Sequence, residues 1–294
     1  MSGIAVVTDS TANVTPEWAR EHSVEVVPVY IYFGEQAYRD GVDMDAATFY
    51  RRLRSATSLP RTSQPSTGDF LATYRRLSAD FDHIISIHIS AELSGTVATA
   101  RMAAEQLRQE MPDAAQVHVV DSRLTSGAQA LLVSAASRAV SAGRQATEVV
   151  ERLSDLIPRM RVVFMLATME YLRRGGRIGA AAAVAGAMLQ IKPLLQIKDG
   201  AIHVLERVRT AGRARRRFYE LIESWGEGRP VRAAVAHADA PDEAQETAEF
   251  IRRRLDCREL MVVEFSPVVG AHSGPGTLGA ALYADPEDLA SPPG

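Results

Sequence analysis

A strand-like run that passes through a hydroxyl-rich turn into a helix dominates the first half of this chain. Residues 84–89 are mostly apolar, and the turn Glu92-Leu93-Ser94-Gly95-Thr96 follows them and opens a long helical pattern. The N-terminus of a helix exposes unpaired N–H groups, and its dipole favours negative charge. The turn therefore predicts an anion site, with the Ser94 hydroxyl and the N–H groups of Gly95 and Thr96 as donors.

Two other segments share this hydroxyl-and-glycine character. They are Thr62-Ser63-Gln64-Pro65-Ser66 and His272-Ser273-Gly274-Pro275-Gly276. Three such loops in one chain indicate a single pocket for a small anionic head group. Because His272 stands in a loop-like segment and not on an apolar stripe, we interpret it as a binding residue and not as a core histidine.

Strand-like and helical patterns alternate through the first half of the 294 residues, which is typical of a mostly parallel sheet flanked by helices. Asp45 is positioned to cap one helix, and Ser66 or Thr67 to cap the next. Near Pro158 the pattern changes. Alternating residues on both sides of Asp199-Gly200 predict a β-hairpin and hence antiparallel pairing.

We therefore predict an α/β protein with two domains. Residues 1–160 form an α/β domain with a mostly parallel sheet, and residues 161–284 form an α+β domain with a mixed or antiparallel sheet. The proline-containing tail, 285–294, is expected to be disordered.

Composition excludes several classes of protein. The net charge of -3 and the absence of a recognisable module argue against nucleic-acid binding. Cys257 is the sole cysteine, and the histidines lack zinc-site spacing, so neither a disulfide nor a metal site is expected. The N-terminus has no basic leader, and the weakly polar run 178–191 is too short to cross a bilayer. We expect a cytoplasmic protein without integral membrane association.

Six segments, in this order along the chain, resemble the DegV family. They are Val7–Thr11, Thr62–Ser66, Leu93–Thr96, Asp121-Ser122, Leu172–Ile178 and Gly270–His272. The resemblance implies a two-domain α/β protein that binds one long-chain fatty acid and presents it to a separate fatty acid kinase, in a route to membrane phospholipids. It implies no catalytic residues in this chain and no cofactor other than the bound acid. The chain also lacks a Walker loop and a kinase-type glycine loop.

The resemblance also implies roles for individual residues. Thr62 and Ser94 become ligands of the fatty-acid carboxylate, and His272 becomes a hydrogen-bond partner of the carboxylate or of a neighbouring water. Arg177 is implied to lie at the pocket mouth.

Outside the pocket, the arginine-rich run after the hairpin is either a solvated face or a docking patch for an acidic partner. The kinase partnership that the resemblance implies favours docking through Arg207 and Arg209.

Sequence does not trace the channel for the acyl tail. Small residues on a helix permit close approach of another group, although this composition is also common in helix packing. The candidates at the domain junction are the Ala-rich helix 180–189 and the apolar residues Phe164, Leu166, Met188, Leu189 and Leu194.

Three alternatives remain open. Ser94 and His272 could serve a hydrolase or acyltransferase, although Glu92 and Thr96 stand where a Gly-x-Ser-x-Gly elbow has glycines. The pocket could hold another amphipathic acid. A phosphotransfer or sugar-processing enzyme is an analogy at the level of the fold. Taken without the family resemblance, Ser94 reads as a simple helix N-cap.

Overall fold

A computed structural model describes residues 3–182 and 191–284 of the chain. The predicted tail at 285–294 lies outside the described residues. Most of the predicted Ala-rich helix also lies outside them, and its first residues, Gly179–Ala181, form a single 3-10 turn. The described part is an α/β protein with two large sheets, as predicted.

Thirteen strands lie in the described ranges: β1 (Ile4–Asp9), β2 (Val24–Val27), β3 (Tyr30–Phe33), β4 (Gln36–Arg39), β5 (Arg61–Ser63), β6 (His83–His88), β7 (Gln116–Asp121), β8 (Arg161–Met165), β9 (Lys192–Lys198), β10 (Ala201–Val208), β11 (Val231–Ala238), β12 (Cys257–Glu264) and β13 (Thr277–Ala284). The α-helices there are α1 (Pro16–Glu21), α2 (Ala46–Ser55), α3 (Thr67–Leu77), α4 (Thr96–Glu110), α5 (Ser126–Ser141), α6 (Ala146–Leu156), α7 (Glu170–Arg174), α8 (Ala211–Gly226), α9 (Pro241–Arg254) and α10 (Pro267–Ser273).

The first sheet is fully parallel and has the strand order β2-β1-β6-β7. Two predicted helix caps in this half are confirmed. The Asp45 carboxylate accepts the Thr48 N–H at 2.7 Å, and Ser66 forms a reciprocal capping box with Asp69. These caps start α2 and α3 at the residues where the sequence places them.

The second sheet has six strands in the order β10-β9-β8-β13-β11-β12 and is mixed, as predicted. The hairpin at Asp199-Gly200 is confirmed, with Lys198 paired to Ala201. Strand β13, in contrast, was not anticipated. It lies antiparallel to β8 and β11 in the middle of the sheet, and its Gly- and Ala-rich sequence contains a single β-branched residue, Thr277, so it lacks the composition typical of a strand.

A small antiparallel sheet, β4-β3-β5, belongs to the first half of the sequence but packs on elements of the second half. Ile31 and Phe49 share one core cluster with Phe265 and Val268. Residues 24–33 are divided near Pro28 into β2 and β3, which join different sheets. The predicted boundary near residue 160 falls between α6 and β8, and it stays a prediction.

Helix α5 fills the space between the two large sheets. It contacts β1 and β6 on one side and β11, β12 and β13 on the other. A helix buried on all sides must be apolar or small on all sides, and Ser126–Ser141 contains mainly Ala, Leu, Val and Ser. At Gly127 the helix approaches β11 so closely that an added Cβ atom would lie 2.9 Å from the Ala234 Cβ.

Substitution at Gly127 tests this close contact. Gly127→Val should lower the free energy of unfolding by about 1–3 kcal/mol, because the new methyl groups would press α5 away from β11. Urea denaturation measures the change. The matched control is Gly212→Val in α8, where an added Cβ has open space around it, and its effect should stay within about 0.5 kcal/mol. Equal effects at the two positions would contradict the tight interface.

Candidate functional site

A cavity lies between α5 and the second sheet and reaches the turns at the carboxyl ends of the first sheet's strands. It encloses about 1060 Å³ that protein atoms do not occupy, including the part open to solvent. Apolar side chains supply most of the wall. They include Val162, Phe164, Leu166, Ala234, Ala236 and Ala281, and the backbone of Gly279 is also part of the wall. A mostly apolar wall with a few polar groups is typical of small-molecule sites in proteins.

One end of this cavity carries polar side chains from three separate segments. They are the hydroxyls of Thr62 on β5 and Ser94 in the turn before α4, and the imidazole of His272 on α10. The Thr62 Oγ1 lies 2.8 Å from the His272 Nε2. The Gln64 side chain covers Gly95, since an added Cβ there would lie 3.1 Å from its Nε2. The β5 segment is thereby held against the Ser94 turn.

The turn before α4 differs from a simple N-cap at Ser94. Gly95 occupies the cap position, and the Ser94 Oγ lies 2.9 Å from the Thr96 Oγ1. The Thr96 N–H also points to the Ser94 Oγ at 3.4 Å. Thr96 is buried, and in the described chain neither it nor Gly95 belongs to the cavity wall. Of the predicted turn donors, Ser94 alone faces the cavity directly.

His272 lies in a helix and not in the loop that its Gly/Ser/Pro neighbours indicated. The prediction failed because Pro267 starts α10 at its first turn, and the helix ends only at Gly274, where φ is 75°. The ring is packed against Gly175, at which an added Cβ would lie 2.3 Å from Nδ1. Burial, and then the nearby Arg177 charge, lower the pKa of His272 to about 4. The imidazole is therefore neutral at pH 7.

A buried carboxylate anchors the start of the helix that carries His272. Asp40 accepts the Val268 N–H at 3.2 Å and the Ser10 hydroxyl at 2.7 Å. It thus ties α10 to the turn after β1. Burial raises the pKa of Asp40 to about 6, against the lowering effect of these hydrogen bonds.

Arg177 lines the cavity, and two of its donor nitrogens serve the backbone. Its Nε donates to the Leu93 carbonyl at 3.2 Å, and its Nη1 donates to the Gly175 carbonyl at 2.7 Å. The side chain therefore joins the segment after α7 to the turn that holds Ser94.

Arg207 and Arg209 lie elsewhere. Arg207 is on β10, an edge strand of the second sheet, and Arg209 directly follows that strand. Both side chains are exposed, and neither lines the cavity in the described residues.

Other wall residues were not singled out from the sequence. Thr125 and Ser126 at the start of α5 place buried hydroxyls on the cavity, as does Ser273, and no hydrogen-bond partner is present for these three among the described residues. The hydroxyl-rich strand-to-helix turn at 122–126 repeats the pattern seen at Ser94 and could have indicated them.

Among the candidates for the tail channel, Phe164 and Leu166 line the cavity. Leu194 packs instead in the core cluster with Val163 and Phe218. Met188 and Leu189 lie outside the described residues.

The fold and this cavity define an α/β protein with an apolar internal site capped by hydroxyls. The DegV family model, which carries the description "Uncharacterised protein, DegV family", matches residues 3–285. The chain belongs to the DegV family. It is 37% identical to a DegV domain-containing protein of Halalkalibacterium halodurans, over 97% of this chain and 100% of that protein.

Two solved structures are also similar. One is a fatty acid-binding DegV family protein from Thermus thermophilus, with a TM-score of 0.88 and 35% identity. The other is DegV from Bacillus subtilis, a fatty acid-binding protein, with a TM-score of 0.88 and 33% identity. Each comparison covers 97% of this chain and 100% of the other. In the described ranges, no helix is long and apolar enough to cross a membrane.

The neutral state of His272 is directly measurable. Its imidazole NMR signal, assigned by comparison with His272→Gln, should not titrate between pH 8 and about 5.5, because its pKa is lowered to about 4. The folded protein binds fewer protons at this position than the unfolded chain below about pH 6.5, so this group makes stability fall as the pH falls. A titration midpoint near 6.5 would contradict the buried, neutral ring.

Proposed function

We propose that this protein binds a single long-chain fatty acid, with the carboxylate at Thr62 and Ser94 and the acyl tail between α5 and the second sheet. The observation that carries the proposal is an apolar cavity whose polar end gathers two hydroxyls and a neutral imidazole. An apolar tail gains roughly 0.8 kcal/mol for each buried methylene, whereas a buried carboxylate needs donors. Both needs are met in one space.

The hydrogen bond between Thr62 and His272 has a direction that suits a carboxylate. If the Thr62 hydroxyl donates to the acid, its oxygen must accept from the Nε2–H of His272. The other ring nitrogen, Nδ1, is then unprotonated. This agrees with its contact against Gly175, where no hydrogen-bond donor or acceptor partners it in the described chain.

The donors also suit an acid that must react further. A buried arginine fork would hold the carboxylate tightly and lower its nucleophilicity, whereas hydroxyls and a neutral ring hold it more loosely. Arg177 already uses two of its nitrogens on backbone carbonyls. The protein in this proposal acts as a carrier in the cytoplasm, without a cofactor or catalytic residues. It presents the acid to a separate fatty acid kinase, and the acyl phosphate enters phospholipid synthesis.

A hydrolase using Ser94 and His272 is less well supported. The Nε2 of His272 is paired with Thr62, and the Ser94 hydroxyl is paired with Thr96. Nδ1 also lacks the carboxylate that orients a catalytic histidine, within the described residues. These contacts favour binding without covalent catalysis.

The head-group assignment is tested by removing both hydroxyls. The double variant Thr62→Val, Ser94→Ala should bind palmitic acid at least about a hundredfold more weakly, since each hydrogen bond to a charged group contributes about 1.5–3 kcal/mol. Displacement of a fluorescent fatty acid measures the affinity. Thr73→Val is the control, because the Thr73 hydroxyl bonds the Asp69 carbonyl within α3, away from the cavity. Unchanged affinity in the double variant would refute the assignment.

Docking is tested by charge reversal on the exposed edge. Arg207→Glu with Arg209→Glu should leave fatty-acid affinity unchanged but slow phosphorylation of the bound acid by an added fatty acid kinase by about tenfold or more, more so at low salt. Arg20→Glu on α1 is a control for the reversal of charge at an exposed arginine elsewhere on the surface. A kinase rate that does not respond to the double reversal would exclude these arginines from the interface.

A further inference from the structure

Beneath the cavity, two neighbouring strands of the second sheet, β11 and β13, carry very small side chains in two rows. Gly279 pairs with Ala236, and two residues further along, Ala281 pairs with Ala234. All four line the cavity. Because alternate residues of a strand face the same side, these rows form a trough beneath α5.

The next row of the same face is large. Tyr283 follows Ala281 by two positions on β13 and pairs with Arg232. Its side chain has no exposed surface, and its hydroxyl accepts a hydrogen bond at 2.8 Å from Arg138, which projects from α5. That bond places the ring on the α5 side of the sheet, which is also the side of the cavity. The trough therefore ends at an aromatic ring.

A charged cluster behind the ring holds it in place. Glu259 accepts hydrogen bonds from Arg232 at 2.9 Å and from Ser134 at 2.5 Å, and it is also paired with Arg138. Arg138 thus joins the Tyr283 hydroxyl to the cluster. Moving an acyl chain into this cluster would be unfavourable. Its methylenes would break the hydrogen bonds of the buried charged groups, and an unpaired buried charge carries a large free-energy cost.

Strand β13 runs along the cavity, which Thr277, Gly279 and Ala281 line. At its first residue, the Thr277 hydroxyl donates to the Ser273 carbonyl at 3.0 Å, next to His272. Six residues later the strand reaches Tyr283. An acid with its carboxylate at His272 would therefore lie along β13 with its methyl end toward Tyr283.

We propose that Tyr283 is the deep wall of the acyl channel and sets the longest fatty acid that this protein binds. This inference rests on the proposed function and adds to it a residue that determines chain length. The ring stops the tail by volume, and the Arg138 bond keeps the ring from rotating away.

The test is an affinity series with saturated acids from lauric to behenic acid, measured by displacement of a fluorescent fatty acid. In Tyr283→Ala, the longest acid bound tightly should become longer by about five carbons, since one more row of the sheet adds about 6.6 Å of depth. Each methylene newly admitted should raise the affinity about fourfold. Tyr283→Leu, a smaller truncation at the same position, should lengthen the limit by less, and it decides the question if Tyr283→Ala fails to fold.

Leu282→Ala is the matched control. Leu282 neighbours Tyr283 on β13 but is buried on the opposite face of the sheet, with Phe218 and Val231. It should lower stability like any large-to-small core change and leave the chain-length profile unchanged. If wild type binds no acid in the series, the proposed function fails. If wild type binds acids and the folded Tyr283 variants keep its length limit, only the role of Tyr283 is overturned.

Discussion

The burial of α5 between two sheets is the constraint on which the rest of the structure depends. A helix that contacts a parallel sheet on one side and a mixed sheet on the other has little room for large or unpaired polar side chains. The contact is closest where Gly127 meets β11. The same residues, Gly127, Ala234 and Ala236, also line the cavity. The packing of α5 on the second sheet thus also forms one wall of the cavity.

Polar side chains are grouped in two places along this space. At one, Thr62, Ser94 and the neutral His272 line the cavity, and the Thr62 Oγ1 lies 2.8 Å from the His272 Nε2. At the other, Arg138 and Glu259 are paired, and Arg138 also donates to the Tyr283 hydroxyl. Buried polar groups are stable when they are paired. In the proposed function, this difference gives an amphipathic ligand a direction.

The polar end is assembled from distant parts of the chain, and several contacts hold its pieces together. Asp40 fixes the start of α10, which carries His272 on its last turn. Gln64 covers Gly95, and Arg177 reaches the Leu93 carbonyl. Because each contact crosses between segments far apart in sequence, the hydroxyl groups keep their positions only while the whole fold is intact. The geometry of this candidate site therefore depends on tertiary packing.

The amino-acid sequence by itself determined the alternation of strands and helices, the helix caps at Asp45 and Ser66, and the hairpin at Asp199-Gly200. These features depend on neighbours within a few residues, so local patterns reveal them. The hydroxyl segments around Thr62 and Ser94 were also recognisable. Only the tertiary structure decided that His272 ends a helix, that the Gly- and Ala-rich β13 is a central strand, and that Tyr283 is buried against Arg138 of α5. These features depend on contacts between residues far apart in the chain, and local sequence patterns do not reveal such contacts.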